Sequence, residues 1–301
     1  LSNSNEIIKD KFKKYFSKFI KTKNVTMNNV EISLIELAKE MWHYDEKNRL
    51  FSYNGNVNIP DEFVKNGKLI IQFDEVHGDF KCSELMESLE GSPEYVGGNF
   101  HCTECLIESL EGGPKRVNLS FFASETSIKS LEGSPDYVGG DFWVNHTQLS
   151  SLSGFPKYIG GDFKCNECEN LTSLESLNYS LNELQGGFEC RYTNITSLKG
   201  LPNKINRHLD CTHTQITSLE GAPKYIGDTF SCNDCYNLTT LKGAPKYVLH
   251  TFSCDYCSAL KSLKYLPLAV DHKVPAHLQG ELMKKIYGNP NTKRKYILSM
   301  Q

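Results

Sequence analysis

The sequence predicts a repeat solenoid: short coils stacked along one axis, a parallel inner sheet, mostly strand and irregular chain, and helical caps at the ends. Three observations predict it. Leucines recur as a ladder, Leu89, Leu110, Leu131, Leu152, Leu174, Leu198, Leu219, Leu241 and Leu263, at steps of 21 to 24 residues. Four residues after each stands a proline, from Pro93 to Pro267, except after Leu174. A large apolar residue then opens a short alternating segment: Phe80, Phe100, Phe121, Phe142, Phe163, Phe188, Leu209, Phe230 and Phe252. One such unit cannot bury its own apolar face, so the units must stack.

The unit reads roughly P-K-Y-V-G-G-D-F-x-C-x-x-C/T-x-L-x-S-L-x-G. The proline after the "SLEG" motif argues against a long helix and predicts an extended or 3₁₀ return. Seven residues after each ladder leucine stands an aliphatic residue: Val96, Val117, Val138, Ile159, Leu181, Ile205, Ile226, Val248 and Val270. The "GG" or "GD" pair is a turn signal, with glycines expected where positive φ is needed. The "F-x-C" segment alternates, as a strand does. Val274 and Ala276 keep that register, which carries the repeats to the end of the solenoid.

The eleven cysteines fall in two columns of the repeat. Two residues after the Phe come Cys82, Cys102, Ala123, Val144, Cys165, Cys190, Cys211, Cys232 and Cys254, a column of small apolar groups that should point inward. Five after it come Cys105, Thr126, Thr147, Cys168, Thr193, Thr214, Cys235 and Cys257. Alternation of Cys with Thr fits a small side chain meeting backbone groups where the chain leaves the strand. The repeat therefore accounts for the cysteines as structural thiols with no cofactor. The alternative is zinc held by Cys232, Cys235, Cys254 and Cys257, which lie in adjacent repeats and could supply four thiolates.

The pattern L-x-x-L-x-L-x-x-N/C-x-L can be laid on "GGDFWVNHTQL", with Phe142, Val144, Thr147 and Leu149 at its last four marked positions. In this the chain resembles the leucine-rich repeat family, over residues 76 to 276, with Phe and Cys in place of most leucines. It is most similar to the short degenerate "SLEGAPKYVGGDFxC" repeats of uncharacterised proteins of large bacteriophages and bacteria. That resemblance implies the solenoid fold and permits host-interaction or virion-associated roles; it implies no activity.

Residues 1 to 75 are expected to form an N-terminal helical cap and an irregular first strand, and 277 to 301 a C-terminal capping helix and tail. Within the first, "EISLIELAKEMW" at 31 to 42 reads as a short helix and "GKLIIQF" at 67 to 73 as the strand. Residues 6 to 21, "EIIKDKFKKYFSKFIK", place Ile8, Phe12, Tyr15, Phe16, Phe19 and Ile20 on one helical face. Capping of the solenoid is the expectation for this segment; docking on a partner or an anionic membrane surface are the alternatives.

Net charge is -3 and 39% of residues are hydrophobic, with no apolar run long enough to span a bilayer. The opening "LSNSNEIIKDKF" lacks a secretory apolar core, so a reducing cytoplasm is expected, that of the host if a phage encodes the chain. No phosphate-binding loop, zincin or nucleophile-elbow motif is present, and the expectation is not an enzyme.

The sheet face between the inward columns carries residues the repeat does not dictate, including Lys164, Asn166, Glu189 and Asp210. Its mixed charge disfavours nucleic acid. A protein or peptide bound across a concave sheet face is the expected function, with Trp143, His146, Arg191, Tyr192, His213 and Tyr256 as candidate contacts. A structural or assembly protein, associating through solenoid edges or ends, is the alternative.

Overall fold

A computed structural model describes residues 27–177 and 183–287. The chain is a parallel-strand β-solenoid of about ten turns with little helix. Helix α1 (Met27–Met41) and helix α2 (Gln279–Tyr287) stand at its two ends. The expected helix over 31 to 42 is present, and so, within 277 to 301, is a helix that begins as a 3₁₀ turn over Ala276–Leu278. The segment 6 to 21 lies outside the described residues.

Each coil contributes to two parallel ladders, not one. The Phe sheet has eleven strands, from Val57–Asn58 through Phe80–Lys81 to Asp271–Lys273, in register Phe121↔Phe142↔Phe163↔Phe188↔Leu209↔Phe230↔Phe252. The return segment, expected to be extended or 3₁₀, is extended and pairs as a strand, with Tyr95–Val96, Arg116–Val117, Tyr137–Val138 and Tyr158–Ile159 stacked in parallel. Two residues suffice to make these strands because every coil repeats the same backbone path, so each amide finds its acceptor one coil away. This Tyr sheet continues after a break as Glu183–Leu184, Lys204–Ile205, Tyr225–Ile226 and Tyr247–Val248.

Between the sheets lies one continuous core. The Phe column is 0–1% exposed from Phe80 to Phe252, and its rings meet their neighbours at 4.9–5.7 Å between centroids except where Leu209 interrupts. Burial of each such ring contributes about 1.5–3 kcal/mol, which sums along the stack. The ladder leucines and the first cysteine column are equally buried. At the N-terminal end Leu34, Ala38 and Trp42 cover this core, with Trp42 5.1–6.3 Å from the rings of Phe51, Phe63 and Phe73. An antiparallel hairpin, His43–Asp45 with Leu50–Tyr53, joins the Tyr sheet there. Lys68–Leu69, inside the expected first strand, pairs back on Val64–Lys65, while Phe73–Val76 enters the Tyr sheet.

Three register expectations are corrected. Leu184 takes the inward aliphatic place, three residues beyond Leu181, which lies outside the described residues: Glu183–Leu184 pairs with Lys204–Ile205 in this longer coil. In the last coil Val270 is 54% exposed and Ala269 is buried in its stead. His272 lies opposite Phe252, so Val274 falls level with Cys254, and Ala276 has already left the strand. The final coil is simply shorter.

The paired glycines also serve a different end from the one expected. Positive φ belongs to the glycine of "SLEG", as at Gly133 with φ 85°. The "GG" pairs are set by close approach: a Cβ on Gly139 would lie 2.0 Å from the Asn118 carbonyl oxygen of the preceding coil.

Candidate functional site

The residue beside each core Phe points out of the Phe sheet and forms a row along the axis: Lys81, His101, Phe122, Trp143, Lys164, Glu189, Asp210, Ser231, Ser253. His101 stacks on Phe122 at 4.9 Å, and Phe122 meets Trp143 edge to face at 5.0 Å. Lys164 Nζ then lies over the Trp143 ring, 5.0 Å from its centroid. Trp143 is half-buried by these contacts, and its indole N–H is buried with no acceptor among the described residues.

Next along the row the aromatic run gives way to a charged cluster centred on Glu189. Its carboxylate accepts from Lys164 Nζ at 2.9 Å and His208 Nε2 at 3.1 Å on one oxygen. The other oxygen accepts from Arg191 Nη2 at 3.0 Å and Asn166 Nδ2 at 2.9 Å. Asp162 accepts from Gly187 N at 2.7 Å and from Arg207 Nη1 at 3.0 Å, two coils away. Glu189, Asn166 and Asp162, which a solvent-facing position would leave open, are each only 7% exposed under this canopy of cations.

Burial alone would raise the Glu189 pKa, but hydrogen bonds from His208, Asn166 and Lys164 outweigh it and hold the carboxyl well below the usual range. The bond to Glu189 raises His208, against the opposing effect of its burial. Both shifts favour a charged pair.

Local sequence explains the geometry. The column before the Phe runs Asp79, Asn99, Ser120, Asp141, Asp162, Gly187, His208. From Asp79 to Asp162 each side-chain oxygen accepts the backbone N–H of the next coil, at 2.7–3.0 Å. Gly187 interrupts that ladder. The His208 ring leans across the gap, its Cε1 2.4 Å from where a Gly187 Cβ would stand, and so reaches Glu189. Sequence reasoning that followed outward-facing variation missed Asp162, Arg207 and His208. A glycine directly preceding a large ring in an otherwise small polar column was the available signal.

The six candidate contacts do not form one surface. Trp143 and Arg191 belong to this sheet face. His146, Tyr192, His213 and Tyr256 stand at the turn that ends the strand, with φ of 53–63°. Glu104, Glu125, Glu167 and Asp234 share that left-handed position, so the column is a turn requirement and not part of the sheet. Tyr192 packs on His213 at 4.8 Å, His213 on Tyr236 at 5.5 Å, and His146 pairs with Glu167 at 3.3 Å. Tyr192 and Tyr256 remain 50% and 67% exposed.

No protein family, curated protein or solved structure matches this chain. The resemblance to leucine-rich repeats therefore rests on the sequence pattern alone.

All eleven cysteines are free and buried. Second-column threonines donate to the carbonyl three residues back, as Thr147 Oγ1 does to Val144 O at 3.0 Å. Cys168, Cys235 and Cys257 instead donate to a carbonyl of the preceding coil at 3.1–3.3 Å. Of the zinc quartet, burial raises Cys232 well above the ordinary thiol range and Cys254 to about 12, while donors from Cys211, Cys257 and Thr214 pull Cys235 the other way. Among the described residues, one group of potential ligands has its donor atoms within 4.8 Å of one another, and it is Asp162, Glu189 and His208. Lys164, Arg191 and Arg207 already occupy those carboxylates, so a divalent ion would have to displace three cations.

Proposed function

We propose that the chain is a non-catalytic recognition module that binds a protein or peptide across the Phe sheet, between the His101–Phe122–Trp143 row and the Glu189 cluster. One observation carries the reading. The inward columns repeat almost without change, while the outward row beside them concentrates three aromatic rings next to a cluster of three cations and three acids. Aromatic and arginine side chains are the usual anchors of protein interfaces. Arg191 and Arg207 keep 43% and 58% of their side-chain surface open, which leaves donors for a partner's acidic groups.

The test is quantitative capture of binding partners by the wild-type chain, Trp143→Ala, Arg207→Ala, and a control on the opposite sheet, Tyr137→Ala. A partner retained by the control and lost by the other two supports the proposal. Equal capture by all four overturns it.

A further inference from the structure

Resting on the recognition role proposed above, we infer that the segment bound is proline-rich. It lies in polyproline II form along the solenoid axis, over His101, Phe122 and Trp143, and carries acidic residues toward Arg191 and Arg207.

The hydrogen-bonding groups of the face favour such a ligand. Flanking the rings, most side-chain acceptors are already committed. Asp79, Asn99, Ser120 and Asp141 each accept a backbone N–H of the next coil on one side. On the other side Ser124, Asn145 and Asn166 do the same. Donors, by contrast, remain uncommitted. The indole N–H of Trp143 and Nε of Arg191 have no hydrogen-bond partner among the described residues. Ser120 and Ser124 accept through Oγ, which leaves each hydroxyl proton for a ligand. An ordinary extended segment brings one N–H per residue to a face with few acceptors to offer, the second oxygen of Asp141 among them. A proline-rich segment brings carbonyls and few N–H groups, which is the complement of this face.

Repeat distances agree. Adjacent strands stand about 4.8 Å apart, so His101 and Trp143, two coils apart in register, are separated by about 9.6 Å along the axis. A polyproline II helix turns once in three residues of 3.1 Å each, about 9.3 Å. Residues on one of its edges therefore fall over His101 and Trp143 together, with Phe122 between them. Same-side residues of an extended strand recur every ~6.6 Å, out of step with the coils. The three rings are half-buried, and the planes of Phe122 and Trp143 meet at 76°, an angled corner in which a pyrrolidine ring can pack. Aromatic rings are the usual floor for such segments, whose stiffness lowers the entropy lost on binding. Lys164 Nζ, 5.0 Å over the Trp143 ring, swings off it and keeps Glu189 as partner.

Charge sets the flank. Beyond Trp143, Arg191 stands two coils on and Arg207 three, about 10 and 14 Å away. At the polyproline II rise these distances correspond to about three and five residues. Acidic side chains at that remove from the proline over Trp143 meet two guanidinium groups that stay partly open.

The experiment measures, by fluorescence anisotropy with the full chain, the binding of labelled nonaproline carrying three aspartates at either end. Nonaserine with the same aspartates and nonaproline with three lysines are the comparisons. One of the two aspartate-tailed nonaprolines should bind at least tenfold tighter than either comparison. Trp143→Phe, which keeps a ring and removes the N–H, should weaken it at least threefold, and Trp143→Ala at least tenfold. Arg207→Ala should abolish the preference for aspartate over lysine, and Tyr137→Ala on the opposite sheet should change nothing. Equal binding of nonaserine, or unchanged affinity in either Trp143 variant, overturns the inference. Should the chain ignore every proline peptide while partner capture still depends on Trp143 and Arg207, the proline assignment alone falls. Loss of that dependence as well removes the recognition role beneath it.

Discussion

Removal of the Glu189 charge tests the cluster most directly. In Glu189→Gln the shape persists, but three charge-assisted bonds, from Lys164, Arg191 and His208, become neutral-acceptor bonds or are lost. Such bonds contribute about 1.5–3 kcal/mol each against about 1 for neutral ones. The three cations keep 23–43% of their side-chain surface in solvent and recover part of that by hydration. The expected cost is therefore about 2 kcal/mol, near the top of what a sheet-surface substitution does. Urea denaturation followed by circular dichroism, at several pH values, reads it. His208 is raised in the folded chain, so its contribution is complete below its ordinary value of 6.5 and fades as pH rises through the raised value. Glu189 is lowered, so its contribution is complete above 4.5 and fades as pH falls. Wild type should thus exceed Glu189→Gln most between about pH 5 and 6.5, and by less at pH 9. A gap below about 0.5 kcal/mol, or one that does not change between pH 6 and 9, would refute the reasoning.

Gly187→Ala puts a methyl where the His208 ring lies, and should cost about 1–3 kcal/mol and return the His208 titration toward 6.5 by NMR. Phe142→Ala opens the middle of the ring column and should cost about 3–5 kcal/mol in urea. Tyr256→Asn relieves a left-handed backbone (φ 57°) at a residue 67% exposed, and should raise the unfolding free energy in urea by about 1 kcal/mol. The thiols should resist Ellman's reagent until the chain unfolds, and Cys168→Thr should change stability by less than about 1 kcal/mol, because Thr147 and Thr193 already fill that column.

The fold was legible because the solenoid imposes one translation on every residue type. Any position that must be apolar, small or glycine is sampled nine times, so columns such as Phe142/Phe163/Phe188 and Cys165/Cys190/Cys211 declare their burial without an alignment. Variation, by contrast, has two causes that look alike in sequence. His146, Tyr192, His213 and Tyr256 vary because a left-handed turn residue stands outside the core, and what contacts it makes are with other turn residues, as Tyr192 with His213 and His146 with Glu167. Glu189 varies because it answers Lys164 on the coil before and His208 on the coil after. Only pairing between coils separates the two, and that needs the register. That the extended return pairs into a second sheet escaped notice for a related reason: two residues, as in Tyr137–Val138, are too few to show alternation.

The coil that carries Glu189 is also the irregular one. It follows Leu174, lacks the proline, and is three residues longer than the commonest unit. Among the described residues the Tyr sheet does not join across it: one ladder ends at Tyr158–Ile159 and the next begins at Glu183–Leu184. In a solenoid each coil is held only by its neighbours, so a lost ladder on one side must be offset on the other or the stack opens there. The Phe sheet runs through unbroken, and on its outer surface Asp162, Glu189, His208 and Arg207 link three successive coils, the Asp162–Arg207 bond spanning 45 residues. The cluster thus staples the weak joint, whatever it also binds. Arg207→Ala should accordingly speed amide exchange of Cys165, Cys190 and their strands around the joint more than that of Ala123 or Cys232. Uniform exchange along the stack would show that the Phe sheet holds the joint without the staple.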